Sequence, residues 1–438
     1  MESNILHCDL NNFFASVECV KNADLKTVPM AVCGDPKLRH GVILAKNDLA
    51  KKYGIITGET VYTAMKKCPT LILVEGNYDD YLKYSKKVKD IYLKYTNKVE
   101  PLSIDECYLD VTESVKLFGD SLHIANLIKE EVKLKTGLTI SVGISFNKSF
   151  AKIGSDMKKP DAITVIGYSN FKRILYPKPI EIIMYVGKST KKILNKYGIK
   201  LVGDLAHFDI VKLRTILGKK ADDIYNVVKG NDYDKVRVYV DKILPKSVSK
   251  GITFKEDTNN LNILEEYICD LAETVSSNLR YYNLKTKCVS INVKDTNFIT
   301  FSRQKQVTAT NSFADISKVV KELLKTNYNE KIYIRSITIN TSHLIEDNLD
   351  LIKDIDLNCD DNINNLFEIL ESNNNINNNV NNNSNLNKTQ SNIINENNKK
   401  IQKQNKLNNI IDDLNKKYGE NVVTYASVSK IIDKSANK

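Results

Sequence analysis

Pro101–Thr112 reads PLSIDECYLDVT and places two adjacent acids, Asp105 and Glu106, between two short runs of strand-forming residues. Consecutive side chains of a strand point to opposite faces, so both carboxylates can serve one site only where the chain turns between them. The stretch therefore predicts a hairpin whose tip presents acids. A solvated acidic turn is an equally ordinary interpretation of this stretch taken alone.

A third acid, Asp9, ends a short apolar strand near the N-terminus. Asn11 or Asn12 is then predicted to cap a helix whose apolar residues recur at helical spacing. A sheet can bring the end of this strand against the acidic hairpin. Rigid, exposed carboxylates in that position suit Mg²⁺, which prefers oxygen ligands and keeps water and phosphates as its other partners.

Three motifs occur in a fixed order in the first 166 residues: HCDLNNFFASVE (7–18), LSIDECYLDVT (102–112) and SVGISFNKSFAKIGSDMKKP (141–160). Together they resemble the Y-family translesion DNA polymerases of the DinB-like or UmuC-like bacterial branch, and weaker similarity continues to about residue 345. The resemblance implies a multidomain α+β fold. It would be a right-hand polymerase with a ferredoxin-like palm, small fingers and thumb, and a little finger domain.

Pattern and resemblance together divide the chain into five regions. These are a palm at 1–24 and 77–167, fingers at 25–76, a thumb with a helix-hairpin-helix element at 168–235, a little finger at 241–345, and an Asn-rich tail at 346–438. In the palm, the order strand, helix, hairpin, helix, strand predicts a sheet with helices on one face. The tail has too little apolar content to offset the entropy of ordering, so we predict disorder there, with a short helix at 405–418.

The resemblance implies that two Mg²⁺ ions are held by the carboxylates of Asp9, Asp105 and Glu106, with the backbone carbonyl of Leu10 as a further ligand. By its place five residues after Asp9, Phe14 resembles the family's steric gate, an aromatic ring that excludes ribonucleotides. An ordinary core phenylalanine on the first palm helix is the alternative.

The resemblance also assigns residues to the triphosphate: Phe13, Lys51 and Lys159. For Lys159 the alternative is a lysine favoured by the end of a helix. The fingers segment LAKNDLAKKYG (44–54) departs from the family, since Ala45, Asp48 and Lys51 stand where many members carry Thr, Tyr and Arg. If Asp48 faces the nucleotide it needs a cation beside it, and Lys46 or Lys52 is close in sequence.

Candidate DNA contacts fall in the last two folded regions. In the helix-hairpin-helix element, Gly187 would let the backbone approach a phosphate, while Tyr185 stands where the family usually has another glycine. In the little finger, the candidates are Lys250, Arg303, Lys305 and Arg335. Each of these alone is more commonly a solvated charge, but one face of a sheet could collect several.

A short apolar segment in the tail sits where relatives carry a peptide that binds the sliding clamp. It consists of Asn348, Leu349, Asp350, Leu351 and Ile352, and it departs from the family pattern at both ends. A second weak candidate is Asn364–Phe367.

Composition fits a nucleic-acid partner, because the chain of 438 residues has a net charge of +11. No long apolar run and no leader pattern occur, so we expect a cytoplasmic protein without membrane contact. The eight cysteines contain no CxxC pair and predict no zinc site. A monomer is expected.

The predicted function is template-directed DNA synthesis of the translesion type, with primer-template DNA and deoxynucleoside triphosphates as substrates. The resemblance implies low fidelity and no proofreading. Two alternatives remain: a catalytically weak DNA-binding homologue, suggested by the altered fingers, and a nucleotidyl cyclase, whose usual Gly-Gly acidic turn is replaced by Ser103 and Ile104.

Overall fold

The structure is a computed structural model that describes residues 3–34, 41–240 and 244–347. Two compact units make up the chain, with the boundary between residues 242 and 243. The predicted helix at 405–418 and both clamp-binding candidates lie outside the described residues. No helix in the described ranges is long and apolar enough to cross a membrane.

The N-terminal unit begins with the elements of the predicted palm and fingers. In chain order these are β1 (Ile5–Leu10), α1 (Phe13–Lys21), β2 (Met30–Cys33), β3 (Ile43–Lys46), α2 (Asp48–Lys52), α3 (Val61–Lys67), β4 (Ile72–Glu75), α4 (Tyr78–Tyr92), β5 (Val99–Pro101), β6 (Glu106–Asp110), α5 (Val115–Phe118), α6 (Ser121–Thr136), β7 (Ile140–Ser145), α7 (Lys148–Met157) and β8 (Ile163–Ile166). Strands β3, β2 and β4 form a separate small sheet.

The palm sheet has the strand order β5-β6-β1-β7-β8. Strand β1 is antiparallel to both β6 and β7, whereas β8 is parallel to β7 after the crossover through α7. The mixed α+β architecture predicted from the sequence is confirmed. The hairpin between β5 and β6 contains Asp105 in its turn, and Glu106 is the first residue of β6.

Helices cover both faces of the palm sheet, so the prediction of helices on one face is wrong. Leu6, Cys8 and Leu10 of β1 are buried in a core shared with α4 and α6. The alternate residues of β1 face α7, which packs so closely that a Cβ on Gly143 would lie 1.8 Å from the carbonyl oxygen of Ala151. The connection between the parallel strands β7 and β8 has to cross one face of the palm sheet. Helix α7 makes this connection and covers the face that α4 and α6 do not.

Side-chain caps fix the starts of the later palm helices. Asp120 accepts a hydrogen bond from the backbone N–H of His123 at 2.7 Å, and Asn147 does the same for Phe150 at 2.8 Å. Helix α1 differs, because Asn12 occupies the cap position with φ 51° but makes no side-chain bond to the helix. Asn12 therefore takes the N-cap position, as one of the two predicted alternatives, but its side chain does not cap the helix.

The rest of the N-terminal unit is helical and contains α8 (Phe171–Leu175), α9 (Lys188–Lys196), α10 (Val202–His207), α11 (Ile210–Leu217) and α12 (Lys220–Lys229). These short helices share one core, in which Leu194, Leu205 and Leu213 are fully buried.

The C-terminal unit contains β9 (Val248–Thr258), α13 (Leu261–Tyr281), β10 (Leu284–Asp295), β11 (Thr300–Thr310), α14 (Phe313–Asn327) and β12 (Ile334–Glu346). Its antiparallel sheet, the C-terminal sheet, has the order β11-β10-β12-β9. Both helices pack on the face that carries Val289, Ile291 and Ile339, which we call the helix face. The open face carries Asn292 and Asn340 instead.

Candidate active site

The strand register brings two of the predicted carboxylates together. Asp9 lies directly opposite Glu106 in the antiparallel pairing of β1 and β6, next to a pair in which the N–H of Leu10 donates to the carbonyl of Asp105 at 3.1 Å. Hydrogen-bonded and non-hydrogen-bonded pairs alternate in such a ladder, so Asp9 and Glu106 form a non-hydrogen-bonded pair. This is the pair type in which opposite side chains are closest.

Asp105 belongs to the turn and is held by Ser103. The Ser103 hydroxyl donates to the Asp105 carboxylate at 2.6 Å and accepts from the backbone N–H of Glu106 at 3.0 Å. This small network fixes the hairpin tip. It directs the Asp105 carboxylate to the hydroxyl and not to Asp9.

Two lysines from the α7 region neutralise the opposed acids. Lys159 Nζ lies 2.7 Å from Asp9 Oδ2 and 2.7 Å from Asp156, while Lys152 Nζ lies 2.7 Å from Glu106 Oε1. Asp9 is buried and Glu106 is half-buried. Buried charges need such partners, because desolvation without them costs several kcal/mol per ion, to order of magnitude.

The environment of Asp9 favours its protonated form. Burial, together with the neighbouring Glu106, raises the pKa of Asp9 to about 7, and the Lys159 ammonium only partly opposes this. Burial lowers the pKa of Lys159, but its bonds to Asp156 and Asp9 outweigh that effect and the net pKa is raised. Lys159 is therefore a firm cation between two acids.

The three acids suit a divalent cation in their chemistry, but their side chains do not converge on one point. In the ranges that the structure describes, no three His, Cys, Asp or Glu side chains lie close enough together to hold a metal ion. The side-chain donors are nevertheless all carboxylate oxygens. Two of the carboxylates already bind cations, because the ammonium groups of Lys152 and Lys159 lie within 2.7 Å of them. Hard oxygen donors around a cation position fit Mg²⁺ in kind. The third acid, Asp105, can join Asp9 and Glu106 at one metal ion only if its carboxylate leaves the Ser103 hydroxyl.

The two phenylalanines of α1 have different surroundings. Phe13 is only 3% exposed and belongs to the palm core, so its side chain is not available to a triphosphate. Phe14 is half-buried and stacks on Tyr81, with ring centroids 4.2 Å apart and an interplanar angle of 13°. The Tyr81 hydroxyl donates to the buried Glu18 at 2.9 Å. Phe14 thus has a fixed ring at the palm surface, which its proposed role requires.

In the fingers, the cation beside Asp48 is Lys51. Asp48 Oδ1 accepts from Lys51 Nζ at 3.0 Å and from Asn12 Nδ2 at 3.1 Å, so it joins α2 to the start of α1. The prediction of Lys46 or Lys52 as its partner is wrong: one turn of helix brings Lys51 back over Asp48, whereas Lys46 donates to Thr57. Burial raises the pKa of Asp48, but the bonds from Lys51 and Asn12 outweigh it and lower the pKa overall.

Gly187 and Tyr185 occupy neighbouring positions before α9. Gly187 is the cap residue of α9 with φ −77°, a conformation open to any residue, and an added Cβ would meet nothing within 4 Å. Tyr185 has φ 71°, in the left-handed region, and its side chain is exposed.

The register of the C-terminal sheet places three of the predicted DNA contacts on the helix face. Directly opposed residues share a face, and the opposed pairs are Lys250 with Ile339, Arg303 with Ile291, and Lys305 with Val289. Lys305 forms an ion pair with Glu322 of α14 at 2.8 Å, and Arg303 donates to Asn327 at 2.8 Å. The fourth, Arg335, lies over the ring of Phe298 at 4.9 Å. DNA contact by these four residues stays a prediction.

Three residues of the site were not singled out from the sequence. Ser103 and Tyr81 act through contacts that no local pattern signals. Lys152 could have been found, because Lys152 and Asp156 follow the spacing i, i+4 of one helix face and Lys159 comes just after that helix.

Comparison with known proteins follows the same division of the chain. A sequence profile described as the impB/mucB/samB family matches residues 8–156, and the profile of that family's C-terminal domain matches residues 245–352. DNA polymerase IV of Acetivibrio thermocellus is 42% identical over 372 residues, which is 85% of this chain and 93% of the relative. DNA polymerase IV of Clostridium kluyveri is 34% identical over 342 residues, which is 78% of this chain and 85% of the relative.

A solved structure has the same fold. The Y-family DNA polymerase chimera Dbh-Dpo4(243-245)-Dbh superposes with a TM-score of 0.71 and 26% sequence identity, covering 78% of this chain and 99% of the chimera.

Proposed function

The chain belongs to the DinB-like branch of the Y-family DNA polymerases, and from this premise we propose that it performs translesion synthesis by metal-assisted phosphoryl transfer. It is a DNA-directed DNA polymerase. Synthesis past damaged template bases, low fidelity and the lack of proofreading are parts of the proposal that rest on family membership. The nucleotidyl cyclase alternative is wrong, since the relatives are DNA polymerases.

One observation carries the proposed site. Asp9 and Glu106 meet as a non-hydrogen-bonded pair at the strand ends, with Asp105 in the adjoining turn and lysine cations against both paired acids. A solvated acidic turn would not need buried acids or fixed counter-ions.

Membership of the family implies dependence on a divalent metal in general, and we propose Mg²⁺, with two ions per site. Asp9, Asp105, Glu106 and the Leu10 carbonyl would hold it. When bound, it would lower the pKa of the primer 3′ hydroxyl and neutralise charge on the triphosphate.

The protein's own cations supply the second part of the proposal. Lys159 forms ion pairs with both Asp9 and Asp156. It can therefore exchange one of these pairs for a contact with the triphosphate and keep the other. Lys152 holds Glu106 in place. Lys51 is a weaker candidate for the triphosphate, because contact with it would break the ion pair with Asp48, whereas Lys159 would keep one of its two acids.

Sugar selection is proposed for Phe14 and a DNA contact for Gly187. DNA contact by Lys250, Arg303, Lys305 and Arg335 stays a prediction, which the comparison of Lys305 with Lys294 tests. The clamp-binding role of residues 348–352, a monomeric state and a cytoplasmic location stay predictions. The last of these would follow from a chromosomal DNA substrate.

Primer extension tests the proposal. Purified protein with Mg²⁺ and the four deoxynucleotides should extend a primer on undamaged and on damaged templates, and Asp105→Asn should abolish this while primer-template binding persists. Glu113→Gln, which changes an exposed acid beyond the other end of β6, is the matched control and should extend normally. A wild-type protein that binds primer-template but never extends it would favour the non-catalytic alternative.

A further inference from the structure

The outer side of helix α14 carries more positive charge than its neighbours neutralise. One side of the helix is buried in the core of the C-terminal unit, and the opposite side presents three lysines: Lys318, Lys321 and Lys325. Lys321 and Lys325 share a single carboxylate, that of Glu265 on α13, at 3.8 Å and 2.8 Å. Lys318 is exposed and forms no ion pair within the described ranges. Three ammonium groups therefore face one acid.

These lysines line a shallow groove of about 540 Å³ that runs along α14 from Ser317 to Thr326. Glu322 lines it as well, but its carboxylate is already paired with Lys305 at 2.8 Å. Lysine side chains present apolar stems as well as ammonium groups. The groove therefore fits an acidic peptide that also carries apolar side chains.

The chain itself contains such a peptide shortly after β12. Residues 350–361, which we call the acidic segment, read DLIKDIDLNCDD and carry five acids against one lysine, together with two leucines and two isoleucines. The 77 residues that follow carry seven acids and ten lysines, so the excess of negative charge is confined to the acidic segment. The segment lies outside the described residues.

Strand β12 ends beside the start of α14. The carboxylate of Asp347, the residue after β12, accepts a hydrogen bond from Asn311 Nδ2 at 3.0 Å, and Asn311 lies two residues before α14. The far end of the groove lies about 20 Å along the helix, at about 1.5 Å per residue. Residues 348–361 can span up to about 46 Å, so the acidic segment can reach the whole groove.

We propose that the acidic segment docks in the groove on α14 of the same molecule. Its first acids contact Lys318 and its last acids contact Lys325, because the segment arrives at the start of the helix. Each exposed ion pair is weak, but attachment to β12 gives the segment an effective concentration on the order of millimolar. While the segment is docked, Leu351 and Ile352 lie against α14, so the predicted clamp-binding residues are not free to bind a clamp.

DNA and a second copy of the chain are the other possible occupants. DNA is a polyanion that lysines also attract, but the groove lies on the side of α14 that faces away from the C-terminal sheet and its open face. A second copy would present the same acidic segment without the advantage of attachment. The segment of the same molecule is therefore favoured over both.

The test uses the full chain labelled at Cys359, which is possible because the other seven cysteines are buried. A maleimide dye on Cys359 should show high anisotropy at about 25 mM salt and lose it at about 500 mM, since the Debye length falls from about 20 Å to about 4 Å. The lysine variant, Lys318→Glu with Lys325→Glu, should show the low anisotropy at both salt concentrations.

Lys246→Glu with Lys255→Glu is the matched control. Both are exposed lysines in or just before β9, the edge strand that lies farthest from β11 in the C-terminal sheet. The control changes the net charge by the same amount and should keep the salt dependence of the wild type. Carbodiimide coupling of the unlabelled chain is a second measurement. It should join acids of the acidic segment to lysines of α14 in the wild type and in the control.

Equal anisotropy of the wild type and the lysine variant at low salt would overturn the inference. Loss of the salt dependence in the control would also overturn it, because attraction by net charge alone would then suffice. Anisotropy that falls on dilution would assign the groove to a second copy instead. A primer-template Kd raised in the lysine variant but not in the control would assign it to DNA. None of these outcomes depends on primer extension, so failure of the proposed function is a separate result.

Discussion

In the palm sheet the antiparallel register sets Asp9 opposite Glu106, whereas in the C-terminal sheet the same kind of register sets Arg303 opposite Ile291 and Lys305 opposite Val289. Both sheets carry helices and both expose polar side chains. The difference is that in the palm sheet the register concentrates like charges at one strand end, where cations must compensate them. In the C-terminal sheet it sends the basic residues toward helices that already supply partners. A register that forces like charges together is a better sign of a site than one that brings single charges to partners on neighbouring helices.

Removing an acid from the palm sheet should have the largest effect. Asp105→Asn keeps the size of the side chain and its turn but loses a charge, and we expect kcat to fall by about a thousandfold or more, since metal polarisation contributes several kcal/mol. Primer-template Kd should stay within about twofold of wild type, because a carboxylate is not an attractive partner for phosphate. Steady-state extension and anisotropy titration measure the two quantities. Extension by this variant at a near wild-type rate would remove the distinction between the two sheets.

Lysines of the N-terminal unit should differ according to whether an acidic partner remains when the triphosphate binds, which holds for Lys159 and not for Lys51. Lys159→Ala should lower kcat/KM for nucleotide by about 10- to 100-fold, since a charged contact contributes about 1.5–3 kcal/mol. Lys51→Ala should lower it by less than about tenfold, because the exposed pair with Asp48 is replaced by solvent at little cost. Asp48→Asn, the matched control, should leave Lys51 free and raise kcat/KM. Identical nucleotide dependence in wild type and both lysine variants would place the triphosphate elsewhere.

The adjacent phenylalanines of α1 provide a sharper comparison within one helix. Phe14→Ala should raise kcat/KM for ribonucleotides on the order of tenfold, because a relieved clash of about 1.4 kcal/mol already gives that factor. Its deoxynucleotide activity should be retained. Phe13→Ala should instead destabilise the fold by about 3–5 kcal/mol, as a buried phenylalanine does, without changing sugar selection. Thermal melting together with single-nucleotide incorporation separates these outcomes, and unchanged discrimination in Phe14→Ala would make Phe14 an ordinary core residue.

Much of the fold followed from the sequence where periodic patterns were bounded by caps and turns. The acidic turn falls at Asp105, as predicted, between the strands β5 and β6. The second layer of helices on the palm sheet did not follow, because only the tight approach of α7 at Gly143 decides which face that helix covers.

Less of the candidate site could be predicted, because its side chains contact residues far away in the sequence. The acids could be found because a motif holds them at fixed spacing, whereas Asn12 was expected to cap a helix and is bonded to Asp48, 36 residues away. Which face of the C-terminal sheet a lysine occupies depends on pairing register across strands, and a single sequence does not contain that information.

The smallest predicted effect decides which face of the C-terminal sheet meets DNA. Lys294 on β10 lies opposite Thr300 and Ser336, so it shares the open face with Asn292. It has no ion-pair partner in the described ranges. Because α13 and α14 cover the helix face, we expect the open face to be the DNA side.

Lys294→Ala should then raise the primer-template Kd a few-fold and reduce the slope of log Kd against log salt by about one, as the loss of a single phosphate contact does. Lys305→Ala is the matched control, and it should change neither value, since Glu322 already neutralises Lys305 in the free protein. The reverse result would be a change of slope in Lys305→Ala and none in Lys294→Ala. It would mean that DNA contacts the basic residues of the edge strand β11 and not the open face. In that case the C-terminal sheet would bind through charges that the fold had satisfied, and the rule drawn from the palm sheet would not extend to this unit.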